Sequence, residues 1–330
     1  MAAGLAARIA EVASPNFLIA GLIARTHGLH DAEAVPPATI VGDPTVDSAL
    51  ADYLTRIADL GGTPSTDVLT ALAYSQSPGL TLELWNIALQ ALTGQSVPPD
   101  TLRGFARGSA ANFLVESTTN GATYRLFHQA LNDTLLTRRA DTHDSTSDQQ
   151  ALTRAFLLYG RDVGWDDAPI YLLNALPHHA AQADMIDDLL HDADYLLYAN
   201  LRRLIPTTGQ AHTTHGHACA RVLKLTPAAI DATPAERTSL FSLTEALDNL
   251  GRTYRDHPMP SLYRAQWAHS NPRTEITALV GHTGGVRGVC AVTVDGRQLL
   301  ASAGSHGTVR VWDPGTGEQL LALAGPSWIS

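Results

Sequence analysis

Apolar residues recur every three or four positions along most of this chain and every second position near its C-terminus, which predicts a long helical stretch followed by strands. Over residues 5–27, Leu5, Ile9 and Val12 and then Phe17, Leu18, Leu22 and Ile23 are spaced for two helices, with Ser14 and Pro15 placed to cap and open the second. After the loop GLHDAEAVPPATIVGDPT, Leu50, Tyr53, Leu54 and Ile57 predict a helix running to the Gly61-Gly62 stop. STDVLTALAYSQSPG predicts another that ends at Gly79, and TLELWNIALQALTG and PPDTLRGFARGSA two more. NFLVEST and TYRLFHQ, joined by the Asn-Gly step of TNGA, then predict a β-hairpin, because that step supplies the positive φ such turns need. Helix, helix, helix, hairpin, helix is the layout of a winged helix.

The polar stretch RRADTHDSTSDQQ is expected to be an exposed linker or a helix-capping loop. Apolar stripes in QQALTRAFLLYGRDVG, PIYLLNALPHHAAQAD, MIDDLLHDADYLLYANLRRLIP, GHACARVLKLTPAAI and PAERTSLFSLTEALDNLGRTYRD predict a helical bundle or short superhelix over 148–258. From Thr274 the period becomes two, and turn signals at Asp295-Gly296 and at Gly315–Gly317 separate three strand-like runs, with a fourth before Gly325.

Charge narrows the function. With 22 basic against 32 acidic residues the chain carries a net −10, which repels nucleic-acid backbones and anionic membrane surfaces. Apolar runs near the N-terminus are broken by Glu11, Ser14, Pro15 and Asn16, so neither a signal peptide nor a membrane span is expected. Cys219 and Cys290 lie far apart in dissimilar contexts, which argues against a disulfide framework and fits a reducing cytoplasm.

The C-terminal segment resembles a WD-repeat blade. Gly281-His282 opens it, Trp312-Asp313 closes its third strand, and the 30 residues between His282 and Trp312 suit a four-stranded unit. The resemblance implies a buried hydrogen-bond chain through Trp312, Ser302 and His282, completed by an Asp in the loop after the second strand. That loop reads Ser305-His306-Gly307, so His306 stands where the family pattern has its acid, and a charge-assisted bond is expected to be lost. Closing a ring takes roughly four to eight blades. ALAGPSWIS ends the chain directly after the fourth strand, so this blade is expected to be the first of a truncated propeller.

Upstream, SPNFLIAGLIAR, LTALAYSQSPGLTLELW, the hairpin NFLVESTTNGATYRLFHQALNDTLL and YLLNALPHHAAQAD with LLHDADYLLYAN resemble, in order, the region after the nucleotide-binding core of STAND-class signalling NTPases, the actinobacterial type that carries WD repeats. The resemblance covers about residues 10–200 and implies a mainly α fold with a small β portion. Its expected parts are a helical lid remnant (1–60), a winged-helix-like domain (61–140), a helical linker bundle (141–270) and a single four-stranded antiparallel WD-repeat blade (271–330). It also implies that His128, in the Phe127-His128-Gln129 step, lies near nucleotide. The departure is large: a P-loop needs Gly-x-x-x-x-Gly-Lys-Ser/Thr, and the lone lysine, Lys224 in RVLKLT, has no glycine loop before it.

Other chemistry is sparse. His212, His215, His217 and Cys219 form the densest group of potential metal ligands, but so short a segment does not wrap a tetrahedral ion, and it reads as a polar loop entering a helix. No Gly-x-Ser-x-Gly elbow occurs, and the adjacent pairs Asp166-Asp167 and Asp187-Asp188 point apart on a helix. Arg103 and Arg107, at i and i+4, make a small basic patch on the helix a winged-helix DNA binder would place in the major groove.

The expectation is therefore a non-catalytic regulatory or scaffold segment of a WD-repeat signalling NTPase in the cytoplasm. It would relay state between a nucleotide-binding core and a propeller that binds protein partners, with no cofactor, metal, small-molecule substrate or membrane. A stand-alone adaptor whose blade pairs with another chain, and a winged-helix DNA-binding regulator, are the alternatives.

Overall fold

The computed structural model describes residues 2–30, 36–40, 45–108, 110, 113–117, 121–271 and 273–325. They form two compact units, Met1–Phe156 and Leu157–Ser330. The first contains α1 (Ala2–Ala13), α2 (Phe17–His30), α3 (Val46–Leu54), α4 (Ser65–Ala73), α5 (Leu82–Thr93), α6 (Pro99–Arg107), the hairpin β1 (Leu114–Ser117) and β2 (Thr123–Leu126), and α7 (Gln129–Ala140). The division between the units falls within α8 (Ser145–Val163).

Local chemistry sets several helix ends away from their expected places. Asn16, not Ser14, caps α2: its side-chain oxygen accepts from the backbone N–H groups of Leu18 and Ile19 at 3.0 and 3.2 Å. The third helix ends at Leu54 rather than at Gly61-Gly62, although Ile57 beyond it is still buried. Likewise α4 stops at Ala73, and the chain turns before Gly79.

β1 and β2 pair antiparallel with Leu114 opposite Leu126. Asn120 of the expected turn lies outside the described residues, while Gly121 has φ +92°. Leu80, ahead of α5, bonds to Tyr124 in both directions (2.8 and 2.9 Å) and so adds a third extended segment beside β2. Gly79 makes that approach possible, because at φ +109° a side chain there would drive into the Tyr124 carbonyl. The core beneath is aromatic: Trp85 is fully buried, donates its indole N–H to the Val68 carbonyl at 2.8 Å and packs on Phe105 and Tyr124.

Of the two expectations for RRADTHDSTSDQQ, an exposed linker or a helix-capping loop, the second describes it: residues 140–147 are exposed, while Arg139 and Asp148 at its two ends reach the core. Its ends are helical, α7 and α8, and Asp144 caps α8 by accepting from the Ser147 N–H at 2.8 Å. Arg139 and Asp148 form a buried, bidentate ion pair (2.5 and 2.7 Å), to which the Tyr74 hydroxyl donates at 2.7 Å. Opposite charges placed one loop apart neutralise each other, so a charged stretch can enter a core.

In the second unit, α9 (Ile170–Gln182), α10 (Ile186–Leu190), α11 (Ala193–Tyr198), α12 (Leu201–Leu204), α13 (Thr214–Leu225) and α14 (Pro234–Asp248) precede β3 (Val286–Val294), β4 (Arg297–Gly304), β5 (Thr308–Trp312) and β6 (Gln319–Ala324). The stretch from Met185 to Pro206, expected as one amphipathic helix, breaks into three short helices because Asp192 and Asn200 each cap the next one. Arg237 of α14 ties these ends together. It is buried and donates to the carbonyls of Leu197, Ala199, Ala229 and Ile230 at 2.8–3.0 Å. The four strands form one antiparallel sheet in the order β3-β4-β5-β6. Mainly helical with a small β part is thus the observed class.

Two predictions follow from the buried polar groups. Asp148→Ala strands Arg139 in the core and is expected to destabilise the first unit by about 3–5 kcal/mol in urea unfolding. His179 of α9 is wholly buried against the Tyr171 hydroxyl (2.8 Å), and burial pushes its imidazole down to about 3. A histidine held neutral when folded stabilises fully above its unfolded pKa of roughly 6.5, and that contribution is lost as pH falls towards the folded value, by about 1.4 kcal/mol per pH unit. Unfolding at pH 7.5 and pH 5 should show this loss, and His179→Gln should flatten it.

Candidate interaction site

The sheet has two chemically different faces, fixed by alternation and register. Ser302, Arg310 and Trp312 share the first, since Leu300 lies opposite Trp312 and Ser302 opposite Arg310. Trp312 is 2% exposed, so its indole N–H needs an internal acceptor, and it finds the Ser302 hydroxyl at 2.7 Å. Ser302 is 2.8 Å from Nε2 of His282, whose Nδ1 lies 3.1 Å from the Thr308 hydroxyl. The direction that satisfies every group runs from the indole to Ser302, from the Ser302 hydroxyl to Nε2, and from Nδ1–H to Thr308.

Thr308, not His306, is therefore the fourth member of this chain. His306 is exposed, with its ring against Gly284. The physical reason is placement: residues 308, 310 and 312 point to one face of β5, while His306 sits in the turn ahead of it. That period-two alternation was the signal in the sequence that could have found Thr308.

The opposite face carries Cys290, Val292, Ala301, Val311, Leu321 and Leu323, all apolar or weakly polar, by the same register. Nothing described covers its β6 side: Leu321 is 47% and Leu323 52% exposed. β3 and β6 are also the two edges of the sheet. Of the two cysteines, both free, Cys290 is exposed on this face, whereas Cys219 is buried and its thiol is pushed up to about 12 by burial.

The remaining sequence candidates sit elsewhere and do different work. His128 caps α7, its Nδ1 accepting from the Ala130 N–H at 3.1 Å while Phe127 meets the ring edge-on. Arg103 is held by Asp100 at 2.5 Å and Arg107 by Glu116 at 2.8 Å, so each arginine of the small basic patch has a carboxylate of its own. Arg107 in turn draws the Glu116 carboxyl below its ordinary value.

The histidine group does not converge. His215 lies 3.3 Å from the Cys219 sulfur, His212 pairs with Asp184 at 3.0 Å, and His217 faces solvent. Among the described residues no three His, Cys, Asp or Glu side chains are arranged to hold a metal ion. None of the described helices is long and apolar enough to cross a membrane. No sequence model of a known protein family matches the chain, and no match is found among curated proteins.

The hydrogen-bond chain makes unequal demands on its members. Ser302→Ala leaves a buried indole N–H and Nε2 without partners and is expected to destabilise the sheet by about 2–3 kcal/mol. Thr308→Val should cost about 1 kcal/mol and His306→Ala close to nothing. Trp312 fluorescence during urea unfolding ranks the three.

Proposed function

We propose that this chain is a non-catalytic regulatory and scaffold segment of the kind found in WD-repeat signalling NTPases. Its sheet is one blade, which stacks through its Cys290 and Leu321 face on a neighbouring sheet, and the helical parts relay state between that assembly and a nucleotide-binding core. The uncovered apolar face carries this reading. An exposed apolar sheet face completes its burial only against another layer, and burying the exposed halves of Leu321 and Leu323 gains about 1 kcal/mol each.

Two further observations support the finer parts. The buried chain from Trp312 to His282 fits the bonding of a WD-repeat blade, with a hydroxyl in place of the acid. Three helices followed by a hairpin, with Leu80 added beside it, fit a winged helix. Because Arg103 and Arg107 are already neutralised, this winged helix is an intramolecular or protein-binding element rather than a DNA reader.

Cys290 permits a direct test, since it is the accessible thiol on the face in question. With a maleimide photo-cross-linker on Cys290, irradiation in an extract of the source cells should give a discrete protein adduct. Leu321→Glu with Leu323→Glu should abolish that adduct, while Arg103→Ala with Arg107→Ala leaves it intact. An adduct that survives the first pair, salt-sensitive retention on duplex DNA, or hydrolysis of ATP or GTP by the purified chain would each overturn the reading.

A further inference from the structure

The second unit holds a cavity of about 490 Å3 that touches the hydrogen-bond chain through the Trp312 ring and includes no residue of the outer apolar face. Its walls come from the α12 and α13 region and from the inner face of the sheet, with Leu201, Leu223, Val280 and Trp312 supplying apolar surface. Three cationic side chains, Arg202, Lys224 and Arg310, line it against a single carboxylate, Glu318. In a chain of net charge −10, a lining with this balance runs against the composition.

Two of these cations have no carboxylate partner among the described residues. Arg202 donates from Nη2 to both carboxylate oxygens of Asp231 at 2.6 and 2.9 Å. Arg310, by contrast, reaches only the neutral amide oxygen of Gln319, and its Nε is buried with no acceptor. Lys224 is half-buried, and its ammonium is drawn below its ordinary pKa by burial alone, with no charged neighbour contributing. Unpaired charge at the edge of an apolar cavity is costly, and an anion seated in the cavity removes that cost.

The walls are also held in place. The Ala278 N–H donates to the Lys224 carbonyl at 3.1 Å, and Arg221 donates to the carbonyls of Arg273 and Glu275 at 2.8 and 3.0 Å. Arg273 closes the seam on Asp248 at 2.5 Å. We infer that this cavity is a binding site for a small organic anion, one with an apolar body against Leu223 and Trp312 and a phosphate or carboxylate head directed to Lys224 and Arg310. Its volume lies within the range of roughly 300–1,000 Å3 common to small-molecule sites and exceeds what a bare inorganic anion fills. The inference is independent of what covers the outer face of the sheet.

Calorimetric titration of the full chain tests it, with phenyl phosphate and benzoate as the two head groups and phenol and inorganic phosphate as the separate halves. One saturable site per chain is expected for at least one of the two organic anions, with phenol and inorganic phosphate weaker by about tenfold or more. Lys224→Gln and Arg310→Gln should each weaken it about tenfold, while Arg103→Gln in the first unit leaves it unchanged. Because Lys224 is the chain's one lysine, its acetylation can be followed by mass spectrometry in the unaltered protein and should slow several-fold with the bound anion present. The inference is overturned if neither anion saturates below about 10 mM, if phenol binds as well as phenyl phosphate, or if Lys224 acetylation is unaffected by an anion that does bind.

Discussion

The indole N–H of Trp312 sets the terms for the C-terminal half of the molecule. Buried where water does not reach, it has to be given an acceptor, and the acceptor has to be given its own partners in turn. Ser302 supplies the first link from β4, His282 the second from the segment ahead of β3, and Thr308 the last from the start of β5. Two strands and the approach to a third are thereby locked by four side chains without a formal charge among them. A carboxylate at the end of such a chain would strengthen the terminal bond, and a hydroxyl leaves it neutral and weaker. The sheet consequently depends more on whatever packs against its faces.

Much of this was legible from periodicity. The order of helices, hairpin and four strands follows the spacing of apolar residues, because burial of one face is a strong and regular constraint, although several helix ends fall short of it and the first strand of the sheet starts at Val286 rather than at Thr274. What periodicity did not carry was pairing between polar groups distant in sequence. Arg139 and Asp148 look like surface residues until each is seen to neutralise the other beneath Tyr74. Asp192 and Asn200 look like polar interruptions of one helix until their side chains are seen to start new ones. His306 was read from its place in a family pattern, and Thr308 was missed because a threonine in a strand is ordinary.

The same distinction separates the candidate sites. Arg103, Arg107 and the histidines of 212–217 were selected by residue type and spacing, which detect that groups can meet but not what already occupies them. In three dimensions each of these groups already has a carboxylate: Asp100 of the same helix for Arg103, Glu116 of β1 for Arg107 and Asp184 for His212. Lys224 shows the reverse. As a lone lysine in a helix it stands out in the sequence only for lacking a glycine loop, yet the fold sets it on a cavity wall where no carboxylate among the described residues pairs with it.

The seam between α13, α14 and the segment leading into β3 is where sequence, packing and relay converge. Asp248 of α14 holds Arg273, Arg221 of α13 holds two carbonyls of that segment, and the Lys224 carbonyl one turn later on α13 anchors Ala278, so the approach to the strands is tied to both helices. His282 and Trp312 lie just beyond the last of these ties, in the buried chain that fixes the inner face. The entry to β3 is thus bonded directly to α13 and α14, whereas the outer face carrying Leu321 and Leu323 is joined to them only through the ladder of strands. In the proposed assembly, a neighbour stacked on that outer face would be coupled to the seam through these same bonds.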